Sequence, residues 1–210
     1  MNMTETYQPE AEDHAAQDQA RADFYGLLAR LFYAAPDAAL LGLLANADPL
    51  TVPDAQAQLP AAWDALIRAA QTASFEHVSQ EYDDTFIGVG RPPVLLYGSY
   101  YLAGALNEKP LAKLRGDLGL LGLARRDGVA EPEDHIAALS EVMRQVIVDP
   151  ERASRSRDES ARQFFVQHIE PWYARLCDAI DSANSADFYR SVACFTRAFF
   201  DLEREFFRMA

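Results

Sequence analysis

The sequence predicts an all-α fold, and three observations carry that prediction. Half of the residues are apolar, with alanine and leucine prominent, and both are strong helix formers. β-Branched residues are sparse and nowhere alternate with polar ones over the length of a strand. Apolar residues instead recur at spacings of three and four, between capping residues, glycines and prolines that end one helix and open the next. A chain of 210 residues suits one domain with a real core. The expected organisation is a flexible acidic N-terminus, residues 1–14, followed by a helical bundle over 15–210.

The first helix is expected from Ala15 to Ala34, with Phe24, Leu27, Leu28, Leu31 and Phe32 on its inner face. Pro36 ends it, and Asp37 caps a short helix carrying Leu40, Leu41 and Leu44. The stretch from Asp48-Pro49 to Pro53-Asp54 reads as a linker, with Asp54 a candidate cap for a helix bearing Leu59, Trp63, Leu66 and Ile67. Pro60 kinks or restarts that helix. Ser74 is an N-cap for Phe75, Val78, Tyr82 and Phe86, spaced three, four and four. Gly88-Val89-Gly90-Arg91-Pro92-Pro93 then breaks the pattern, since glycine tolerates positive φ and proline donates no amide. Helix resumes over Ser99–Leu106, with Ser99 as its expected N-cap.

Pro110 suits the first turn of a helix with Leu111, Leu114, Leu118 and Leu121, weakened by Gly116, Gly119 and Gly122; Gly128 falls in the turn after it. Pro132 fits the first turn of the next helix, followed by acids that complement the helix dipole. Its core face is Ile136, Leu139, Met143 and Val146. Asp149-Pro150 ends it, a charged connection runs from Glu151 to Asp158, and Ser156 or Asp158 caps a helix with Phe164, Phe165 and Ile169. Pro171-Trp172 opens a helix with Leu176 and Ile180. The last helix, from Ala186, aligns Phe188, Val192, Phe195, Phe199, Leu202 and Phe206, with Phe200 and Phe207 widening the stripe.

The formal charge of −13 and pI of 4.6 repel phosphate backbones and so argue against a nucleic-acid partner. They favour a basic partner, such as a peptide carrying arginines, although surplus acids also serve solubility alone. Cys177 and Cys194 form neither a CxxC nor a zinc spacing and lie among apolar helical residues. Both are expected to be buried free thiols in a reducing compartment. The first nineteen residues lack the basic and apolar regions of a signal peptide, and no run approaches the ~18 apolar residues of a membrane span. The expectation is a cytosolic protein.

Candidate chemistry concentrates between Glu81 and His135. Glu131, Glu133, Asp134 and His135 cluster, but no HExxH is present, and His14, His77 and His168 complete no metal-ligand pattern with them. Ser99, in Tyr97-Gly98-Ser99-Tyr100-Tyr101, lacks the second glycine of a nucleophile elbow and any strand to hold one. The glycines of the 88–93 loop have neither the strand nor the lysine of a phosphate cradle. Tyr97, Tyr100 and Tyr101 cannot all face one core, so at least one should present its ring and hydroxyl to a partner. Asp134 and His135 are an ionisable pair at a loop–helix junction, a modest functional signal. These residues suit binding better than catalysis, and no catalytic residue or metal is assigned.

Phe86-Ile87-Gly88, Pro93, Tyr97-Gly98-Ser99-Tyr100-Tyr101-Leu102 and Glu131-Pro132-Glu133-Asp134-His135 together resemble the TorD/DmsD/NarJ family of redox-enzyme maturation chaperones. The last element is the most specific, because a Pro-x-Asp-His sequence at this distance from a Tyr-x-Ser-x-Tyr segment is rare by chance. The resemblance implies a TorD-like all-helical bundle of about ten helices, with a hinge between its N- and C-terminal parts in the stretch from Tyr101 to Glu131. It implies a cytoplasmic chaperone that binds the twin-arginine leader, or another region, of a molybdopterin oxidoreductase precursor and holds it until the cofactor is inserted. Phe86, Pro93, Tyr97, Ser99, Tyr101, Pro132, Glu133, Asp134 and His135 are then the peptide-binding residues, with Asp134 or Glu133 accepting an arginine fork. It implies a monomer or a segment-swapped dimer, and no cofactor beyond a weak guanine-nucleotide binding known in the family. An assembly chaperone for a non-exported nitrate reductase subunit, an unrelated helical adaptor and a helical enzyme using Asp134-His135 are the alternatives. One departure stands out: the family often has prolines immediately before the aromatic-Gly-Ser step, where this chain has Leu95-Leu96.

Overall fold

Ten helices follow one another in the described residues, and none of those residues forms a strand. They are α1 (Pro9–Tyr33), α2 (Ala38–Ala45), α3 (Gln58–Thr72), α4 (Phe75–Tyr82), α5 (Gly98–Ala103), α6 (Lys109–Leu120), α7 (Ile136–Val148), α8 (Ser154–His168), α9 (Tyr173–Ser182) and α10 (Phe188–Met209). The structure is a computed structural model and describes residues 9–50, 58–88, 90–106, 109–125, 128, 131–149 and 154–209. The expected cap Asp54 lies outside them, as do the start of the 151–158 connection and Val89 of the glycine loop.

Two long helices organise the packing. Helix α1 runs against α7, and α10 packs on α3 and α9; α2 lies on α3, α8 on α7, and α5 on α6. The aromatic stripe of α10 makes the centre. Phe195, Phe199 and Phe200 are fully buried and meet Phe24, Tyr25, Trp63, Phe165 and Tyr173, with ring centroids 4.9–5.9 Å apart. Edge-on aromatic packing of this kind adds to the burial of large apolar area. One charge sits in this core. Glu203, 1% exposed, accepts from Arg21 Nε at 2.7 Å and from Tyr25 Oη at 3.0 Å, so the buried carboxylate is paired and hydrogen-bonded as burial requires.

Capping follows the sequence in two places. Asp37 Oδ1 accepts from Leu40 N at 2.7 Å and Ser74 Oγ from His77 N at 3.2 Å. A third cap comes from far along the chain. Glu81, buried in α4, accepts from the backbone N–H groups of Asp187, Phe188 and Tyr189 at 2.7–3.0 Å. It thereby satisfies the open donors at the start of α10 and favours its dipole.

Several boundaries differ from expectation. Helix α1 covers Pro9–Tyr33, so the described helix includes six residues ahead of the expected Ala15. Helix α5 stops at Ala103 because Gly104 adopts φ 81°, a left-handed cap. Helix α8 covers Ser154–His168, so positions 156 and 158 lie within it and not ahead of it. Phe75 is exposed, since the inner face of α4 is Val78, Glu81 and Tyr82. Cys177 is buried as expected, but Cys194 is exposed on the outer side of α10.

After Tyr82 the helix widens into one π-turn, Asp83–Ile87, closed by Gly88 N to Asp83 O at 2.7 Å. Gly88 has φ 60°, and a Cβ there would lie 3.0 Å from the Pro92 backbone, so only glycine fits this exit without strain. The chain then returns, Val94 N bonding Thr85 O at 3.1 Å, and delivers Leu96 and Tyr97 to the start of α7.

Candidate functional site

A single antiparallel bridge joins Tyr97 to His135. It is made by Ile136 N to Leu96 O and Gly98 N to Asp134 O, both at 2.9 Å. These bonds use the carbonyl of residue 96 and the N–H of residue 98, so leucines in place of prolines at 95 and 96 leave the bridge itself intact. Leu96 is buried and adds an apolar anchor beneath it.

The bridge positions the polar motif residues. Ser99 does not cap α5 with its side chain. Its backbone N donates to Asp134 Oδ2 at 2.7 Å, so the carboxylate from the far side of the bridge caps the helix instead. Pro132 is not in a helical turn either. It lies in the turn before α7, its carbonyl accepting from His135 N at 3.2 Å. His135 is the N-cap of α7, with Nδ1 accepting from Ala137 N at 3.2 Å. Burial lowers its pKa to about 4, so the ring is neutral near pH 7, with its proton on Nε2.

The remaining predicted residues spread in three directions. Phe86 is buried against Phe32, Tyr82 and Tyr189. The Tyr97 ring meets the edge of His135 at 5.1 Å and its hydroxyl donates to Glu131 Oε2; burial, reinforced by that carboxylate, pushes its pKa well up. Glu133 is held by a two-pronged pair from Arg115, at 2.9 and 3.0 Å, which lowers its pKa. Tyr101 stacks on Trp172 at 5.3 Å, and Tyr100 accepts from Arg91 at 2.8 Å. Pro93 is exposed in the loop. Asp134 Oδ1, Ser99 Oγ and Tyr101 Oη are buried with no hydrogen-bond partner among the described residues.

Two cavities meet at this junction. The larger, about 760 Å³, is a groove between α1, α7 and the chain from the end of α6 to Arg125. Leu27, Ala29, Leu118, Leu123, Ala138 and Val142 supply its apolar surface, and Asp23, Arg30, Arg125, Glu131, Glu133, Glu141 and Arg144 its charges. The smaller, about 250 Å³, lies at the end of α1 against the π-turn and the bridge. Tyr33, Glu131 and His135 belong to the walls of both. Of the predicted residues, Phe86, Tyr97 and His135 line the smaller cavity and Glu133 and His135 the larger. Pro93, Ser99, Tyr101, Pro132 and Asp134 line neither.

Asp134 is therefore placed as a clamp between α5 and α7, and Glu133 already has an arginine partner; neither is a free acceptor on a rim. Sequence reasoning missed Tyr33, Asp83 and the α1 and α7 walls. The available signal was the small residues Gly26, Ala29, Ala137 and Ala138 on two otherwise bulky helices. Where small side chains face each other along packed helices, a groove stays open between them. No described helix is long and apolar enough to cross a membrane, and no cluster of the described residues has the make-up of a metal site.

Comparison with known proteins agrees with this architecture. Residues 53–178 match the family model described as nitrate reductase delta subunit. The chain is 25% identical over 140 residues to Chaperone protein TorD of Vibrio cholerae, covering 64% of this chain and 63% of that one. It is 28% identical over 148 residues to Chaperone protein TorD of Aliivibrio fischeri, covering 67% and 68%. The match to the Vibrio protein thus spans a little under two thirds of that relative's length. The fold is similar to the crystal structure of a candidate redox enzyme maturation protein from Archaeoglobus fulgidus, with TM-score 0.56 and 17% identity over 97% of this chain and 98% of the other. With the family model covering more than half of its length, the chain belongs to the TorD/DmsD/NarJ family of redox-enzyme maturation chaperones.

Proposed function

We propose that this chain is a cytoplasmic chaperone that binds the twin-arginine leader of a molybdopterin oxidoreductase precursor, and holds it until cofactor insertion and before export. The observation that carries the reading is the groove of about 760 Å³ along the α1–α7 seam. Its size is in the ~300–1,000 Å³ range of binding clefts, and an apolar floor with charged walls suits an apolar segment flanked by cations. Apolar contact supplies affinity there, and charge supplies orientation and encounter rate. The overall charge of −13 attracts arginines, so affinity should fall as salt rises. His135 and Asp134 serve as helix caps and Glu133 as an ion-pair partner, and the family is one of chaperones.

The test is calorimetric titration of the full chain with a synthetic peptide carrying two adjacent arginines followed by an apolar stretch. Ala138→Arg places a bulky cation on the groove wall and should weaken binding at least about tenfold, roughly 1.4 kcal/mol, with helix content unchanged. Undiminished affinity in that variant contradicts the reading. A second reading is favoured by the family description, nitrate reductase delta subunit: assembly of a non-exported nitrate reductase subunit. Capture from the native host separates the two, by whether the retained protein carries a twin-arginine leader.

A further inference from the structure

The two cavities differ in charge. The larger groove mixes acids with Arg30, Arg125 and Arg144. The smaller has two carboxylates on its wall, Asp83 and Glu131, and no lysine or arginine among the described residues lines it. Its other walls are largely aromatic: Tyr33, Tyr82, Phe86 and Tyr97. Asp83 lies on the π-turn and is exposed; its side chain makes no hydrogen bond or ion pair with the described residues. Glu131 engages Tyr97 through Oε2 alone, leaving a second oxygen. Both carboxylates act on the same phenol: burial first, then the charges of Glu131 and Asp83, push Tyr82 up to about 12.

A third observation is independent of the acids. His135 is 5% exposed, and its Nδ1 is taken by the Ala137 N–H. Its Nε2 has no hydrogen-bond partner among the described residues, and the ring forms part of the wall common to the two cavities. In a neutral ring whose Nδ1 accepts, Nε2 is a donor. A donor without a partner, on a ring that is itself buried and forms a cavity wall, is suited to a ligand's acceptor.

We propose that the smaller cavity is a guanidinium subsite: it takes one arginine side chain of the client segment between the Asp83 and Glu131 carboxylates and the tyrosine rings, while His135 Nε2–H donates to a main-chain carbonyl of that segment at the entrance to the groove. A planar, delocalised cation matches both wall chemistries, forking to carboxylates and stacking on aromatic faces, which a lysine ammonium does less well. The cavity of about 250 Å³ has room for one such side chain, so the second arginine of a pair faces the mixed charges outside. This assignment rests on the leader-binding reading above and gives that reading an order: arginine at the π-turn, apolar residues along α1 and α7.

The test is a titration matrix on the full chain. The proteins are wild type, Asp83→Asn combined with Glu131→Gln, and Glu205→Gln as a charge control on the exposed part of α10. The peptides carry Arg-Arg, Lys-Lys or Gln-Gln before the same apolar stretch. Equal thermal midpoints establish that the near-isosteric variants fold. Wild type should bind the Arg-Arg peptide about tenfold or more above the Gln-Gln peptide, with Lys-Lys between. The double variant should bring Arg-Arg down to the Gln-Gln level and leave Gln-Gln unmoved, whereas Glu205→Gln should preserve the gap. A gap that survives in the double variant overturns the subsite while leaving groove binding standing. If wild type binds none of the peptides, the leader reading falls. N-Acetylarginine amide, followed by the His135 imidazole resonances, then decides the subsite alone: shifts lost in the double variant sustain it, and no shifts in wild type overturn it.

Discussion

Two helix starts in this molecule are capped by the same device, a buried carboxylate sent from a distant part of the chain, and they are finished differently. At α10, both oxygens of Glu81 are engaged, receiving three backbone N–H groups. At α5, Asp134 receives one, from Ser99 N; its Oδ1 is left buried without a partner, as is the Ser99 hydroxyl. Glu81 and Asp134 are equally buried, at 4% exposure each. Neither carboxylate lines a cavity itself; Glu81 is followed by Tyr82, on the smaller cavity alone, and Asp134 by His135, which lines both. The difference separates scaffold from site: the first junction is fully satisfied and only holds, and the second carries unused polar capacity next to a groove.

The largest effect expected is at the satisfied junction. Glu81→Ala leaves three donors at a buried helix start and should cost about 4 kcal/mol, read from urea unfolding; a loss under about 1 kcal/mol contradicts the capping role. Glu81→Gln should also be costly, because each carboxylate oxygen now receives at least one backbone N–H, and the amide nitrogen that replaces one of them would face a donor.

Next comes a pH effect at the other junction. His135 has its folded pKa lowered to about 4, from an ordinary value of 6.5, so between those values the unfolded chain binds more protons than the folded one. Stability is full above about 6.5 and falls as pH drops toward about 4, by about 3 kcal/mol in all. His135→Asn keeps a capping oxygen and removes the titration, so its unfolding free energy should lose that slope. Glu133, whose pKa is lowered by Arg115 from 4.5, contributes in a separate window. Its stabilisation is complete above 4.5 and is lost as pH falls through the lower folded value. An unchanged slope in His135→Asn breaks the assignment.

Smaller again is Asp134→Ala, at about 2 kcal/mol for one lost cap. Asp134→Asn should cost under about 1 kcal/mol, since one amide oxygen suffices for Ser99 N. Parity between Glu81→Gln and Asp134→Asn in chemical denaturation erases the contrast between the two junctions. Gly98→Ala is another small effect. Its Cβ would lie 3.1 Å from the Trp172 indole, and a shift of that ring should cost about 1 kcal/mol, visible as a lowered melting midpoint.

Much of the helical frame was legible because local rules and packing agree. Asp37 and Ser74 cap where short polar side chains precede apolar runs, and Phe188, Val192, Phe195, Phe199, Phe200 and Phe207 are buried as their spacing indicates, with Leu202 and Phe206 half-buried at the edge of the stripe. The long-range caps were not legible, since Glu81 and Asp134 find partners 106 and 35 residues away. The motif Glu131–His135 was visible, but the division of labour inside it was not. Whether a carboxylate faces a groove or a backbone amide depends on the bridge to Tyr97, which sequence spacing does not encode. The groove itself was hidden for a related reason. Gly26, Ala29, Ala137 and Ala138 leave room only because α1 and α7 lie against each other.

The most direct test of the account places a photo-crosslinking residue in the apolar stretch of a twin-arginine peptide and maps the attachment on the full chain by mass spectrometry. Leader binding along the α1–α7 seam predicts adducts on α1 around Leu27, on α7 around Val142, and on the Leu118–Leu123 segment, all suppressed by Ala138→Arg. Adducts on the α2–α3 or α9–α10 surfaces, unaffected by that substitution, would contradict it.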